Sequence, residues 1–141
     1  MLMLDVNVLV NAMRSDAPRH DVVRAWLDAI RNRPEPFGVS ELVLAGLLRV
    51  VTHRRVFSPP TSTASALAWV SALRATPNLV LVAPGPRHWE IFEELIASTA
   101  ATGNLVADAW HAALAIEHGC EWVSDDSDFA RFDGLRWSRP A

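Results

Sequence analysis

Short uninterrupted apolar runs alternate along this chain with longer segments of helical period, and that alternation limits the possible folds more than any other feature. Leu2-Met3-Leu4, Phe37-Gly38-Val39, Leu79 to Val82 and Trp122-Val123 carry no charged residue, the pattern of strands covered on both faces rather than on one. Between them, Val22, Val23, Trp26, Leu27 and Ile30 recur at helical spacing over Asp21 to Ile30, and the pattern stops before Pro34 and Pro36. Ser40 is a candidate N-cap for an apolar helix reaching about Val51. A proline- and hydroxyl-rich loop, Ser58 to Thr63, precedes a helix over Ala64 to Ala75 that Pro77 closes. Further helices are expected from His88 to about Ala100 and from Leu105 to His118, the second ended by Gly119, and Leu135 to Trp137 reads as a last strand. Strands separated by helices make one α/β domain over residues 1–141, a three-layer α/β/α arrangement around a central, mainly parallel sheet.

Composition narrows the class. The chain has 141 residues, half of them apolar and 21% charged, which suits one folded domain and excludes wholesale disorder. The single cysteine, Cys120, cannot form an intramolecular disulfide or supply a zinc–thiolate cluster, and it suits a reducing cytoplasm. No apolar run approaches the roughly 18 residues of a membrane span and no basic region precedes the first apolar residues, so neither export nor insertion is expected. The net charge of −3 argues against holding nucleic acid by bulk positive charge, and the fact that all 13 basic residues are arginine assigns no function, since genome composition alone produces such a bias.

The acids are more informative by position than by number. In open parallel sheets, chemistry collects at the carboxyl ends of the strands. Asp5 stands at the end of the first apolar run, where a bare carboxylate needs a cation, a donor network or a raised pKa, and Asn7 is placed to supply a donor. Ser124-Asp125-Asp126-Ser127-Asp128 follows the Trp122-Val123 run, as a solvated turn, a cap or a cation site. Glu41 and Asp108 begin otherwise apolar helices, where the helix dipole alone would favour an acid. Their placement nevertheless lets Asp5, Glu41, Asp108 and Asp126 converge, an oxygen-only set suited to Mg²⁺ or Mn²⁺ rather than zinc. Setting those four aside moves the formal charge from −3 to +1, so the acid excess resides in the candidate site.

Four segments together carry a family resemblance: Leu4-Asp5-Val6-Asn7-Val8-Leu9, Val39-Ser40-Glu41-Leu42-Val43-Leu44, Val106-Ala107-Asp108-Ala109-Trp110-His111-Ala112-Ala113-Leu114-Ala115 and Ser124-Asp125-Asp126-Ser127-Asp128-Phe129-Ala130-Arg131-Phe132. They resemble the motifs of PIN-domain toxins of the VapC type, over nearly the whole chain. The resemblance implies a PIN-like fold, usually a homodimer, and a Mg²⁺- or Mn²⁺-dependent endoribonuclease acting as the toxin of a type II toxin–antitoxin pair, with a cognate VapB-like antitoxin. By position it makes Asp5, Glu41, Asp108 and Asp126 the catalytic acids, with Asp5, Asp108 and Asp126 holding metal and Asn7, Ser124 and Asp128 in support. One departure stands out. Many PIN domains carry their second acid inside the helix near the position of Gly46, about 500° of helical rotation from Glu41 and so on a different face.

Arg49, His53, Arg54 and Arg55 form the one basic cluster, suited either to a helix C-terminus or to an RNA backbone, with Arg49, Arg54 and Arg55 as the candidate RNA contacts. Trp26 and Trp110 sit at core spacing, so stacking of bases on tryptophan is not required. The apolar content of Leu42 to Val51 and Ala64 to Leu73 exceeds what a small sheet needs, which allows a dimer or antitoxin interface. Two other readings are open: a non-catalytic acidic module that binds an arginine-bearing partner, and an aspartate-dependent phosphatase, the latter weakened by Asn7 where a second aspartate is usual.

Overall fold

The apolar runs become the strands of a single parallel sheet. A computed structural model describes all 141 residues: β1 (Leu2–Leu4), α1 (Val6–Met13), α2 (His20–Arg31), β2 (Phe37–Val39), α3 (Glu41–Val51), α4 (Thr63–Arg74), β3 (Leu79–Leu81), α5 (His88–Thr99), α6 (Asn104–Glu117), β4 (Glu121–Val123), a 3₁₀ turn (Ser127–Arg131) and β5 (Arg136–Ser138). The strand order is β3-β2-β1-β4-β5 with every pair parallel. Each strand has only three residues, so the register is set by single apolar pairs such as Leu2 opposite Phe37 and Met3 opposite Trp122.

That order dictates the layers. The chain winds outward from β1 through β2 to β3, then returns to the other side of β1 for β4 and β5. Right-handed crossovers consequently put the two sets of helices on opposite faces. α1 packs on α2 and α3, and α3 on α4; α5 packs on α6, and α6 on β4 and the 3₁₀ turn. Met3, Leu4, Phe37 and Trp122 are completely enclosed between the layers, as are Leu9 and Leu47 on one side and Leu114 and Phe129 on the other. The reversal of winding between β1 and β4 leaves a crevice at the carboxyl ends of those two strands, the place where open α/β sheets bind ligands.

Helix starts follow local chemistry. Asp5, Ser40 and Ser62 cap α1, α3 and α4 by accepting from the backbone N–H of Val6, Val43 and Ser65. α5 lacks a side-chain cap of its own; Glu117 of α6 instead accepts from the backbone N–H groups of Gly85 and Arg87 just before it, at 2.7 and 2.9 Å. Gly119, with φ +65°, ends α6 as its position in the sequence indicates. Much of the apolar surplus of α3 and α4 goes into the core, but Leu42 and Leu67 are about half exposed. No helix is long and apolar enough to cross a membrane.

Candidate active site

Asp5 ends β1 and caps α1 in one step. Its carboxylate accepts from the Val6 N–H at 2.7 Å, the Asn7 side-chain amide at 3.1 Å and the Ser124 hydroxyl at 2.7 Å. It is only 7% exposed. Burial pushes its pKa up from 3.8 to about 6, against the pull of those three donors and with a further upward push from Asp126. Asn7 does its work from the first turn of α1 rather than from an extended strand, so its proximity to Asp5 comes from the helix turning over its own cap. The same amide donates to Ser124 Oγ at 2.9 Å, and Asn7 Oδ1 accepts from the Asp125 N–H at 3.0 Å.

The turn after β4 is held from several sides. Asp125 does not join the other acids: it accepts from Asn11 at 2.9 Å and pairs with Arg19, whose other nitrogen donates to the Pro140 carbonyl at 2.9 Å. With Asp125 turned away, Asp126 caps the 3₁₀ turn by accepting from the Asp128 N–H at 2.9 Å. Carboxylate oxygens of Asp108, Asp126 and Asp128 then lie within 4.8 Å of one another.

Asp108 is in the second turn of α6, not the first, because the helix already begins at Asn104. The dipole explanation for this acid therefore fails, since that effect is confined to the first turn. Burial, then the charges of Asp126, Asp5 and Asp128, raise its pKa from 3.8 to about 6. Four carboxylates gathered in a cavity that only one arginine, Arg49, also lines make a site electrostatically incomplete without a further positive ligand. The donors are all oxygen, the preference of Mg²⁺ and Mn²⁺, so these residues fit such an ion.

Asp5, Asn7, Asp108, Asp126 and Asp128 line one open cavity of about 620 Å³, together with Asn11, Arg49, Asn104 and His111. Arg49, in the last turn of α3, is the one arginine lining it. Arg54 and Arg55 lie in the exposed loop beyond α3 and do not. Glu41 is outside as well, which corrects its placement among the acids. It begins α3 with its side chain 72% exposed, 3.7 Å from Arg74, beside a separate apolar depression formed with Leu42, Val82 and Trp110. Gly46, five residues on, faces α1 instead, and a Cβ built there would lie 2.8 Å from Val6 Cγ2. The two positions diverge as helical rotation requires, and neither brings an acid to the cavity.

His111 escapes a reading of the acids, although its spacing from Asp108, three residues along a helix, places both on one face. Its ring stacks on Trp122 with centroids 5.3 Å apart and planes 16° from parallel. Burial, aided by His88, lowers its pKa to about 4, so the ring is neutral near pH 7.

Comparison with known proteins agrees with this architecture. The PIN-domain family profile matches residues 2–135. Ribonuclease VapC43 of Mycobacterium tuberculosis is 48% identical over 140 residues, 99% of this chain and 95% of that protein. Ribonuclease VapC25 of the same organism is 44% identical, with 99% of each chain covered. Among solved structures, VapBC2 from Rickettsia felis bound to a promoter DNA fragment superposes with a TM-score of 0.74 at 19% identity, covering 98% of this chain and 97% of that one, a likeness of fold. The chain belongs to the PIN-domain family, in its VapC ribonuclease branch.

Proposed function

We propose that this protein is a metal-dependent endoribonuclease that acts as the toxin of a toxin–antitoxin pair, hydrolysing RNA phosphodiester bonds with water as the nucleophile. The observation that carries the mechanism is the cavity itself, where Asp5 and Asp108 lie with Asp126 and Asp128, the first two raised in pKa mainly by burial and further by neighbouring carboxylates. Asp5, Asp108 and Asp126 would hold Mg²⁺ or Mn²⁺, with Asp128 at the rim. Such an ion, when held there, would lower the pKa of water and offset charge on the phosphate. Ser124 and Asn7 keep the Asp5 oxygens aimed at the cavity, and the Asp125–Arg19 pair holds the turn that presents Asp126 and Asp128. Arg49 is the residue placed to meet an RNA phosphate at the cavity mouth, where a guanidinium matches phosphate geometry. Glu41 has no part in this reading.

Its partner is a VapB-like antitoxin, a proposal supported by relatives named VapC ribonucleases and by a fold shared with VapBC assemblies. A homodimer and a cytoplasmic site of action complete the picture. The test is cleavage of total bacterial RNA by the purified protein with Mg²⁺ or Mn²⁺. Cutting at discrete sites, abolished by chelator and by Asp108→Asn, is expected. Cleavage that persists in the variant and in chelator would overturn the reading, and tight antitoxin binding without any cleavage would favour an acidic binding module.

A further inference from the structure

Of the five histidines, His111 alone makes no hydrogen bond. His20 meets the Asn11 carbonyl at 2.9 Å, His53 accepts from the Arg55 N–H at 3.1 Å, His88 meets the Trp110 carbonyl at 3.0 Å and His118 the Ala83 carbonyl at 2.8 Å. His111 Nδ1 is fully enclosed without a partner. The ring lines the acidic cavity, with Nε2 as the nitrogen left open to it. It is held by its stack on Trp122, a residue with no exposed surface, so its direction is set by packing alone.

A neutral imidazole carries one N–H and one lone pair. Enclosing an N–H with no acceptor is the rarer and costlier arrangement. The proton therefore belongs on Nε2, and Nδ1 keeps its lone pair. This tautomer excludes metal ligation by His111, because a ligating histidine offers the lone pair of one nitrogen and donates the other N–H to a carboxylate or carbonyl, and Nδ1 faces neither. A hydrogen-bond donor remains, facing a cavity that four carboxylates line.

We infer that His111 positions the nucleic-acid strand, its Nε2–H donating to an oxygen of the nucleotide at the cleaved linkage. The inference rests on the nuclease reading and adds a specific contact to it. Two oxygens of that nucleotide have the right chemistry, a non-bridging phosphate oxygen and the ribose 2′-hydroxyl; the second would also separate RNA from DNA.

The experiment uses a synthetic RNA copied from a cut site mapped in total bacterial RNA, cleaved by wild-type, His111→Phe and His111→Gln proteins. Phenylalanine keeps the stack on Trp122 and removes the donor; glutamine restores an N–H. His111→Phe is expected to lower kcat/KM by about tenfold or more, the loss of one hydrogen bond to a charged or reacting group, while His111→Gln recovers most of it. Mn²⁺ affinity, read by thermal shift, is expected to be unchanged in both. Cleavage by His111→Phe within about twofold of wild type overturns the inference, as does Mn²⁺ affinity that falls in step with activity. A 2′-deoxy substitution at the cut nucleotide identifies the acceptor: losses that do not add to that of His111→Phe point to the 2′-hydroxyl, and losses that add point to phosphate. Nitrogen-15 spectra of the wild-type imidazole test the tautomer without any variant, and a proton on Nδ1 overturns the inference. If wild type is as inactive as Asp108→Asn, the nuclease reading itself fails.

Discussion

The Ser124 hydroxyl donates to Asp5 Oδ2 at 2.7 Å across 119 positions of sequence, and this contact ties the carboxyl end of β1 to that of β4. Ser124 Oγ itself accepts from the Asn7 amide at 2.9 Å and from the Asp126 N–H at 3.0 Å. One O–H and two lone pairs are all that a serine hydroxyl has, so Ser124 is saturated and is a positioning residue rather than a nucleophile.

Ser124→Ala removes the donor to a buried carboxylate and strands the Asp126 N–H. Stability is expected to fall by about 1–3 kcal/mol in urea denaturation, with cleavage reduced more than tenfold. An unchanged midpoint would mean that the hydroxyl merely fills space.

Acidity should stabilise the metal-free protein. Asp5 and Asp108 have folded-state pKa values raised from 3.8 to about 6, so the folded chain binds these protons more tightly than the unfolded chain does. Their stabilising contribution is complete below the unfolded value and disappears as the pH rises through about 6. In chelator, Asp108→Asn should therefore melt above wild type at neutral pH, and the two curves should converge on acidification, since Asp108 accepts no hydrogen bond whose loss would offset the gain. A variant that melts lower at pH 7 would contradict the electrostatic account.

Added Mg²⁺ or Mn²⁺ should act in the opposite sense. Each ion is expected to raise the melting temperature of wild type at neutral pH, with the gain shrinking as Asp5 and Asp108 take up protons around pH 6. Asp108→Asn should abolish most of that shift. Equal shifts in wild type and variant would place the ion elsewhere.

Glu41→Gln should leave cleavage within about twofold of wild type, because an exposed pair such as Glu41–Arg74 contributes little and the residue lies outside the cavity. A loss comparable to that of Asp108→Asn would restore Glu41 to the catalytic set.

Gly46→Ala should destabilise the fold by about 1–2 kcal/mol, the overpacking against Val6 exceeding the gain in helix propensity. Val6→Ala in the same chain should recover part of that loss, by opening the space the new methyl needs. An additive double variant would show that the two positions do not press on each other.

Much of the site was readable in the chain. Asp5 and the Asp126–Asp128 pair follow apolar runs that could only be buried strands, and Asn7 and Ser124 sit where such strands end. The two helix-borne acids were not separable. Glu41 and Asp108 look alike as carboxylates opening apolar helices; a start at Asn104 sets Asp108 in the second turn facing the cavity, while Glu41 at the first position of α3 points to solvent. Arg49 belongs to the basic cluster, but nothing in the chain separates it from Arg54 and Arg55; His111 shares the Asp108 face of α6 by its spacing of three, and only the fold shows that this face turns to the cavity.

The sequence by itself determined the strands, the alternation with helices and the acids that stand at strand ends, because burial of an apolar run and capping of a helix are decided by neighbouring residues. Which of those groups share a cavity was decided by tertiary structure alone. The strand order β3-β2-β1-β4-β5 reverses the winding between β1 and β4, and only that reversal opens a crevice where Asp5, Asp108, Asp126 and His111 face one another. Glu41, at the end of β2, is one strand removed from the opening.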